Sequence, residues 1–454
     1  MNKTNRRLSG LDKKYLWHPF TQMKEWMSDD MVIISRAKGN YLYDSRGRRY
    51  LDGVSSLWCN VHGHGRPEID RAVRGQLNRV AHSTMLGLAN VPAIELAREL
   101  IRVAPKGLSR VFYSDSGSTA VEIALKMAFQ FWQQAPGNRK ANTRKTKFLT
   151  FANAYHGDTI GSVSLGGMDL FHAIYKPLLF KTIQAPAPYC YRCPLNMERS
   201  ACRMECLLKA EQLIKKHHRQ LAGIVIEPLI QGAAGMITQP AGFLKRLRQL
   251  CTQYNILFIV DEVATGFGRT GRMFACEHES VRPDIMAVAK GITGGYLPLA
   301  ATLTTEKVFA AFLGEYRDNK TFFHGHTYTG NPLACAAALA NLEIFRKDKT
   351  IRQLGPKIRR LTERLNEFRR LAHVGDIRQC GLMVGIELVR DKAAKQPYPY
   401  QARMGRRVML NVRQHGIILR PLGDVIVLMP PLSISGRQLE YLLDAVWRAI
   451  EEIR

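Results

Sequence analysis

Asp261 and Lys290 are the two residues whose types and surroundings most clearly allow chemistry in this sequence of 454 residues. Asp261 closes the apolar run Ile256-Leu-Phe-Ile-Val and is followed by Glu262 and Val263. A carboxylate carried to the end of a buried strand is costly to leave unpaired, so it needs a cationic or hydrogen-bonding partner. A helix cap or a salt bridge would meet that need. So would a protonated pyridine nitrogen, the pairing that makes pyridoxal phosphate an electron sink. Val263 falls on the same side of an extended chain and is placed to support such a ring.

Lys290 follows a second apolar run, Met286-Ala-Val-Ala, and precedes Gly291, Gly294 and Gly295. A lysine in that setting is poor surface design. In a confined, partly desolvated site its pKa falls, and the free amine is nucleophilic enough to form an imine with an aldehyde cofactor. Released by exchange with a substrate amine, it can then carry a proton between carbon atoms. Ser114-Asp-Ser-Gly-Ser-Thr119 is a weaker signal. Gly117 would let the backbone approach a ligand, and free N–H groups at a helix start attract phosphate. A plain helix cap by Ser118 or Thr119 explains the same residues equally well. Glu122 and Lys126, four apart, read as a surface pair.

These residues need a frame. Val111–Tyr113, Gly223–Ile226, Ile256–Val260 and Ile285–Val288 are predicted strands, with helical patterns at Thr119–Trp132 and Phe243–Tyr254 between them. Alternation of this kind implies a parallel sheet with helices on both faces, and ligands bind beyond the carboxyl ends of such strands. From about Leu333 the pattern changes to two helices, Leu333–Arg346 and Lys357–Arg370. Short strands at Gly381–Val389 and Val425–Met429 follow, with a last helix to Arg454. The expected fold class is therefore α/β with a smaller α+β part. Residues 1–75, with a hairpin-like Gly39–Asp44, should pack with the small domain at 333–454. The large domain should span 76–332 and carry a cysteine-containing insertion near 188–207.

Composition narrows the function. Hydrophobic residues make up 46% and charged residues 23%, the balance of a folded soluble chain. No run approaches the roughly 18 apolar residues of a membrane span. Met1–Gly10 is basic with no apolar stretch behind it, so the expected location is cytoplasmic. Sixty-six basic residues against 38 acidic ones give a net charge of +28. Nucleic-acid binding would account for that excess, but the basic groups at Arg6-Arg7, Arg139–Lys147, Lys357–Arg370 and Arg406-Arg407 are scattered and not interleaved with aromatics. A solvated basic surface that steers anionic ligands is the plainer reading. Nine cysteines make a disulfide framework a poor fit. Cys190, Cys193, Cys202 and Cys206 have a spacing that zinc could use, or are free thiols of a surface insertion.

Taken along its length, the chain resembles the class III aminotransferases of fold type I, and among them the diaminononanoate-synthase group of biotin biosynthesis. The resemblance rests on Trp17-His-Pro-Phe-Thr-Gln-Met23, Trp58 before Val61-His-Gly-His64, Ser114–Ser118 and Tyr155-His-Gly-Asp158. It continues through Asp261–Gly271, Lys290-Gly-Ile-Thr-Gly-Gly295, Phe323-His-Gly-His-Thr327 and Arg420-Pro-Leu-Gly-Asp424. It implies pyridoxal 5'-phosphate, with Lys290 as covalent anchor and Asp261 on the ring nitrogen. Tyr155 and Val263 would lie against the ring. Gly117 and Ser118 would hold the phosphate, joined by Thr327, with His326 beside it, across a homodimer with composite sites. Trp58, Gly325 and Arg420 would line the substrate pocket, with Arg420 forking onto a carboxylate. Asp158 and Arg269 match positions that tune activity and donor recognition, and Phe20 lies with the substrate residues.

The implied reaction passes nitrogen from a donor to 8-amino-7-oxononanoate, through two half-reactions in one pocket. Two departures bear on it. Phe20 stands where users of S-adenosylmethionine carry a tyrosine, and His326 replaces a proline common before the threonine. Phe20, Trp58–His64 and Gly167–Leu178 also resemble the variant that takes its nitrogen from lysine, which points to lysine over S-adenosylmethionine as donor. A different class III ω-aminotransferase, of the ornithine or 4-aminobutyrate type, is the nearest rival. A nucleic-acid-binding protein is the rival of another class, and it leaves Asp261 and Lys290 without a purpose. The pairs His62/His64 and His324/His326 could suggest metal, but both lie in stretches matching pocket loops.

Overall fold

Seven segments pair into one sheet whose central strands are apolar on both faces. In chain order these are β1 (Leu108–Ser114), β2 (Lys147–Phe151), β3 (Ile183–Ala185), β4 (Leu221–Ile226), β5 (Leu257–Asp261), β6 (Ile285–Val288) and β7 (Ala300–Thr305). The computed structural model describes residues 3–135 and 142–453. Met1, Asn2, Arg139 and Lys140 of the basic stretches lie outside them, as does Arg454 at the end of the last predicted helix. The spatial order is β1-β7-β6-β5-β4-β2-β3. Only β7 runs against its neighbours, so the sheet is mostly parallel.

The central strands β4, β5 and β6 are buried along their whole length. That explains why they read as continuous apolar runs and not as alternating ones. Phe258 and Val260 face a core that includes Leu244 and Leu247 of helix Phe243–Gln253. Leu257 and Ile259 face the other core, against Val121, Ala124 and Leu125 of helix Gly117–Gln134. The latter helix begins with a reciprocal cap between Ser116 and Thr119. Trp132 near its end donates from Nε1 to the Ala222 carbonyl at 2.7 Å, tying it to β4.

Register then places the chemistry. Val260 pairs with Met286 and Asp261 with Ala287, so β5 and β6 end side by side. Asp261 and Lys290 therefore emerge at the same carboxyl edge.

Around this sheet lie segments from both ends of the chain. Arg49–Asp52 pairs in parallel with Ile417–Ile418. Val374–Cys380, Met383–Leu388 and Val425–Leu428 form a separate antiparallel sheet. Gly39 joins strands Ile34–Lys38 and Tyr41–Asp44 with a φ of 57°, a conformation that glycine adopts at little cost. Among the described residues no helix is long and apolar enough to cross a membrane.

Ile259 is fully buried between the sheet and helix Gly117–Gln134. Ile259→Ala is expected to lower the unfolding free energy by about 2–5 kcal/mol, the usual cost of an emptied core position. Urea denaturation checks it, and an unchanged midpoint would mean that this part of the core is not close-packed.

Candidate active site

The carboxyl edge of the sheet opens on a cavity of about 760 Å³. Its walls include Trp58, Gly117, Ser118, Tyr155, Asp158, Asp261, Val263 and Lys290. Eight residues singled out from the sequence thus meet in one place, from segments far apart in the chain.

Asp261 is 5% exposed and is held from two sides. Val263 N–H donates to its Oδ1 at 3.0 Å, closing the turn after β5. His156 Nδ1 lies 2.7 Å from its Oδ2. Burial opposes a charge on His156, but the hydrogen bond and charge of Asp261 outweigh it and raise its pKa. The partner that burial demands is therefore present in the protein itself. The other imidazole nitrogen, Nε2, is buried without a partner.

Lys290 heads a short 3-10 turn and has a φ of 44°. Its ammonium lies 5.3 Å from the centre of the Trp58 ring. Burial lowers the lysine pKa, while Asp261 and Glu227 oppose that fall. The amine is thereby moved toward its neutral, nucleophilic form.

A phosphate has a place to bind. The first N–H groups of helix Gly117–Gln134 have no acceptor within the helix and face the cavity. A Cβ on Gly117 would come within 2.5 Å of Val263 Cγ1, and one on Gly157 within 2.3 Å of Ser118 Oγ. Only glycine allows the two loops to close this tightly. Ser118 Oγ also accepts from Thr159 N–H at 3.0 Å. Together these residues fit a flat cationic ring carrying a phosphate arm: an amine, a buried carboxylate, an aromatic wall and a helix start.

Tyr155 supplies part of that wall and donates its hydroxyl to Asp158 Oδ2 at 2.9 Å. Its phenol is desolvated, which together with Asp158 pushes its pKa up and keeps it protonated. Trp58, 8% exposed, ends a run, Ser55–Trp58, whose φ values are all positive. Such a run costs energy in residues with a Cβ, and Ser55 and Ser56 help to hold it. Ser55 donates to the Met429 carbonyl at 2.6 Å, and Ser56 to Asp52.

Several expected residues do not reach the cavity. Arg269 is 1% exposed, and it donates to the carbonyls of Pro430 and Asn60 at 2.7 and 2.6 Å and of Trp58 at 3.3 Å. Burial lowers its pKa to about 10. No side of it lines the cavity: two of its guanidinium nitrogens support the Trp58 turn through backbone carbonyls, and its Nε is buried without a partner. Arg420 is exposed, on a turn whose Leu422 packs with Trp58 and Tyr155. Phe20 touches Phe171 edge-on at 5.4 Å, and Phe171 in turn faces Tyr155 at 6.4 Å, so it stands one ring back from the cavity. Gly325, His326 and Thr327 lie outside the cavity of their own chain.

His156 and Glu227 are wall residues to which the sequence had given no role. His156 sits inside the motif Tyr155–Asp158, where its place between two singled-out residues was the available signal. Glu227 follows β4 and had no distinguishing neighbour. It accepts from Tyr155 N–H at 3.1 Å and Gly232 N–H at 2.8 Å, and burial pushes its pKa up to about 7.

Cys190, Cys193, Cys202 and Cys206 border one small crevice, but all nine cysteines are free. Among the described residues no group of three or more His, Cys, Asp or Glu side chains is arranged to hold a metal ion. Cys202 instead points to Glu205 Oε2 at 3.0 Å.

Comparison with known proteins gives one consistent result. The class-III aminotransferase family model matches residues 23–450. An adenosylmethionine-8-amino-7-oxononanoate aminotransferase of Geobacter sulfurreducens is 55% identical over 443 residues, covering 97% of each chain. One of Nitratidesulfovibrio vulgaris is 59% identical over 444 residues, covering 98% of this chain and 81% of the other. The crystal structure of the Methanocaldococcus jannaschii adenosylmethionine-8-amino-7-oxononanoate aminotransferase superposes with a TM-score of 0.93 at 48% identity, over 98% and 99% of the two chains. An (S)-enantioselective omega-transaminase from Thermomicrobium roseum superposes at 0.92 with 33% identity, over 98% of each.

The Gly117–Val263 contact can be tested directly. Gly117→Ala is expected to weaken pyridoxal phosphate binding by about tenfold or more, equivalent to at least about 1.4 kcal/mol. Adding Val263→Ala should restore much of that loss. Equilibrium dialysis measures both, and an unaffected Gly117→Ala variant would mean that the close approach plays no part in holding the phosphate arm.

Proposed function

We propose, from the premise that this chain belongs to the class-III aminotransferases, that it transfers an amino group to 8-amino-7-oxononanoate and yields 7,8-diaminononanoate in biotin biosynthesis. The observation that carries the reading is the meeting of Lys290, Asp261 and the Gly117 helix start in one cavity. The names of the relatives at 46–59% identity support the substrate.

Lys290, Asp261, Tyr155, Val263, Gly117 and Ser118 are the residues that would hold pyridoxal phosphate. When bound, that group supplies a reactive aldehyde and a ring that withdraws electrons from the substrate carbon. The chain's own residues do the rest. Asp261, held in place by His156 and the Val263 N–H, is positioned to pair with whatever ring nitrogen faces it. Lys290 would anchor that group covalently, and its amine would serve to carry a proton between carbon atoms. Trp58 and Tyr155 limit water at the reacting centre. Asp158 orients the Tyr155 hydroxyl. Arg420, exposed beside this wall, supplies the charge for a substrate carboxylate.

A homodimer with composite sites belongs to the same proposal. Gly325 and Thr327 stand outside their own cavity, and Leu86, Val91, Phe323 and Tyr328 are large apolar groups left exposed in the single chain. A partner subunit would cover them and receive Thr327.

The donor has support on two sides. Phe20 has no hydroxyl, which favours lysine, whereas the relatives' names carry adenosylmethionine. Another ω-aminotransferase activity is the second reading, favoured by the omega-transaminase structures among the neighbours.

Lys290→Ala is expected to lower turnover of 8-amino-7-oxononanoate by about 10³-fold or more, since anchor and proton carrier are lost together. Wild-type turnover of ornithine or 4-aminobutyrate but not of this keto acid would move the chain to the rival reading. Single-turnover absorbance with each donor decides the other question. Bleaching by lysine alone is expected from Phe20, and bleaching by S-adenosylmethionine alone would overturn that preference.

A further inference from the structure

Beside the cavity, four side chains from three segments form an unbroken hydrogen-bonded line. Lys126 Nζ lies 2.9 Å from His324 Nδ1. His324 Nε2 lies 3.2 Å from His326 Nε2, and His326 Nδ1 lies 2.7 Å from Asp115 Oδ2. The two ends settle every proton between them. An ammonium can only donate, and a carboxylate can only accept. His324 Nδ1 must therefore accept, which leaves its proton on Nε2, donated to His326 Nε2. His326 then donates from Nδ1 to Asp115. Each ring is thereby confined to one tautomer.

This line fastens the loop 321–329 to helix Gly117–Gln134 and to the turn that opens it. Phe322 stacks on His324 at 5.8 Å, and Phe112 meets both rings edge-on. His326 N–H donates to Thr329 Oγ1 at 2.9 Å. Gly325 lies between the two histidines and Thr327 directly follows them. Asp115, at the other end, is itself a wall residue of the cavity.

We propose that His324 and His326 are positioning residues, which hold the loop carrying Gly325 and Thr327 in register with the active site and release it from Lys126 when the His324 ring gains a proton. The proposal rests on the reading above, in which Thr327 serves a neighbouring site. A proton on His324 would set an N–H against the Lys126 ammonium, and that breaks the line at the helix end. The charged and titratable groups packed around the rings are Lys126 and Glu122 from the helix and Asp115 from the turn, with His82 against Tyr328 at the loop's far end. Burial, Lys126 and His326 lower the His324 pKa from its ordinary 6.5, so the neutral form is favoured. A depressed histidine pKa contributes stability above the ordinary value, which is lost as pH falls through the folded-state value. The latch is thus closed near neutrality and opens in acid, below about pH 6.5.

The test is amide hydrogen exchange of the 321–329 peptide in the full-length holoenzyme, at about pH 7.5 and about pH 5.5, corrected against the core strand β5. Protection of this peptide is expected to fall by about tenfold in acid, the scale of one broken local contact of about 1.4 kcal/mol. His324→Phe, which keeps the ring stack and removes both bonds, is expected to show the low value at both pH values. His326→Phe should do the same and stands in where the first variant fails to fold. Wild-type protection unchanged by acid, or variants as protected as wild type, would overturn the proposal. Exchange is read on the loop and not on turnover. A protein with no activity toward 8-amino-7-oxononanoate would therefore remove the proposed function, while a pH-indifferent loop in an active enzyme would remove only the latch.

Discussion

A carboxylate and an amine must be held out of water at the ends of two neighbouring strands, and much of the rest serves that end. The sheet does it by register: Asp261 pairs with Ala287, three residues before Lys290, so both side chains leave the same edge. Neither group is comfortable there. Asp261 is held by His156 and by the Val263 N–H, while burial draws the proton from Lys290 against the pull of Asp261 and Glu227. Apolar strands on both sides and a close-packed helix behind them keep solvent from both groups.

The outer parts of the site are held by strained backbone and by buried polar groups. Trp58 faces Lys290 only because Ser55–Trp58 is wound left-handed. Arg269 binds the Trp58 and Asn60 carbonyls on one side and the Pro430 carbonyl on the other. Glu227 similarly ties the Tyr155 loop to Gly232, against which the Trp58 ring packs. Arg269 sits behind the cavity wall and Glu227 within it, and both fix where that wall stands.

Much of this was legible in the residues. The strands Ile256–Val260 and Ile285–Val288 could be read because central parallel strands are apolar throughout, and the residues at their ends were the right ones to weigh. Strand Ala300–Thr305 was missed: its Ala-Ala-Thr-Leu-Thr-Thr pattern is neither strongly apolar nor alternating, and pairing from both sides makes it a strand. Strands Lys147–Phe151 and Ile183–Ala185 were missed too. One is short, and both draw their stability from neighbours far along the chain. Arg269 was tied to donor recognition by the resemblance alone, its type suggests a surface charge, and nothing local reveals that three distant carbonyls surround it. Glu227 was silent for the same reason, since its partners are backbone groups. The histidines 324 and 326 were visible as a pair, but Lys126 and Asp115 join them only through the fold.

The central claim is that Lys290 is the amine that binds the cofactor covalently. Borohydride reduction of the native protein with bound pyridoxal phosphate, followed by peptide mapping, tests it most directly. The expected result is a single reduced adduct on Lys290. An adduct on another lysine, or none at all in a protein that retains its activity, would contradict it.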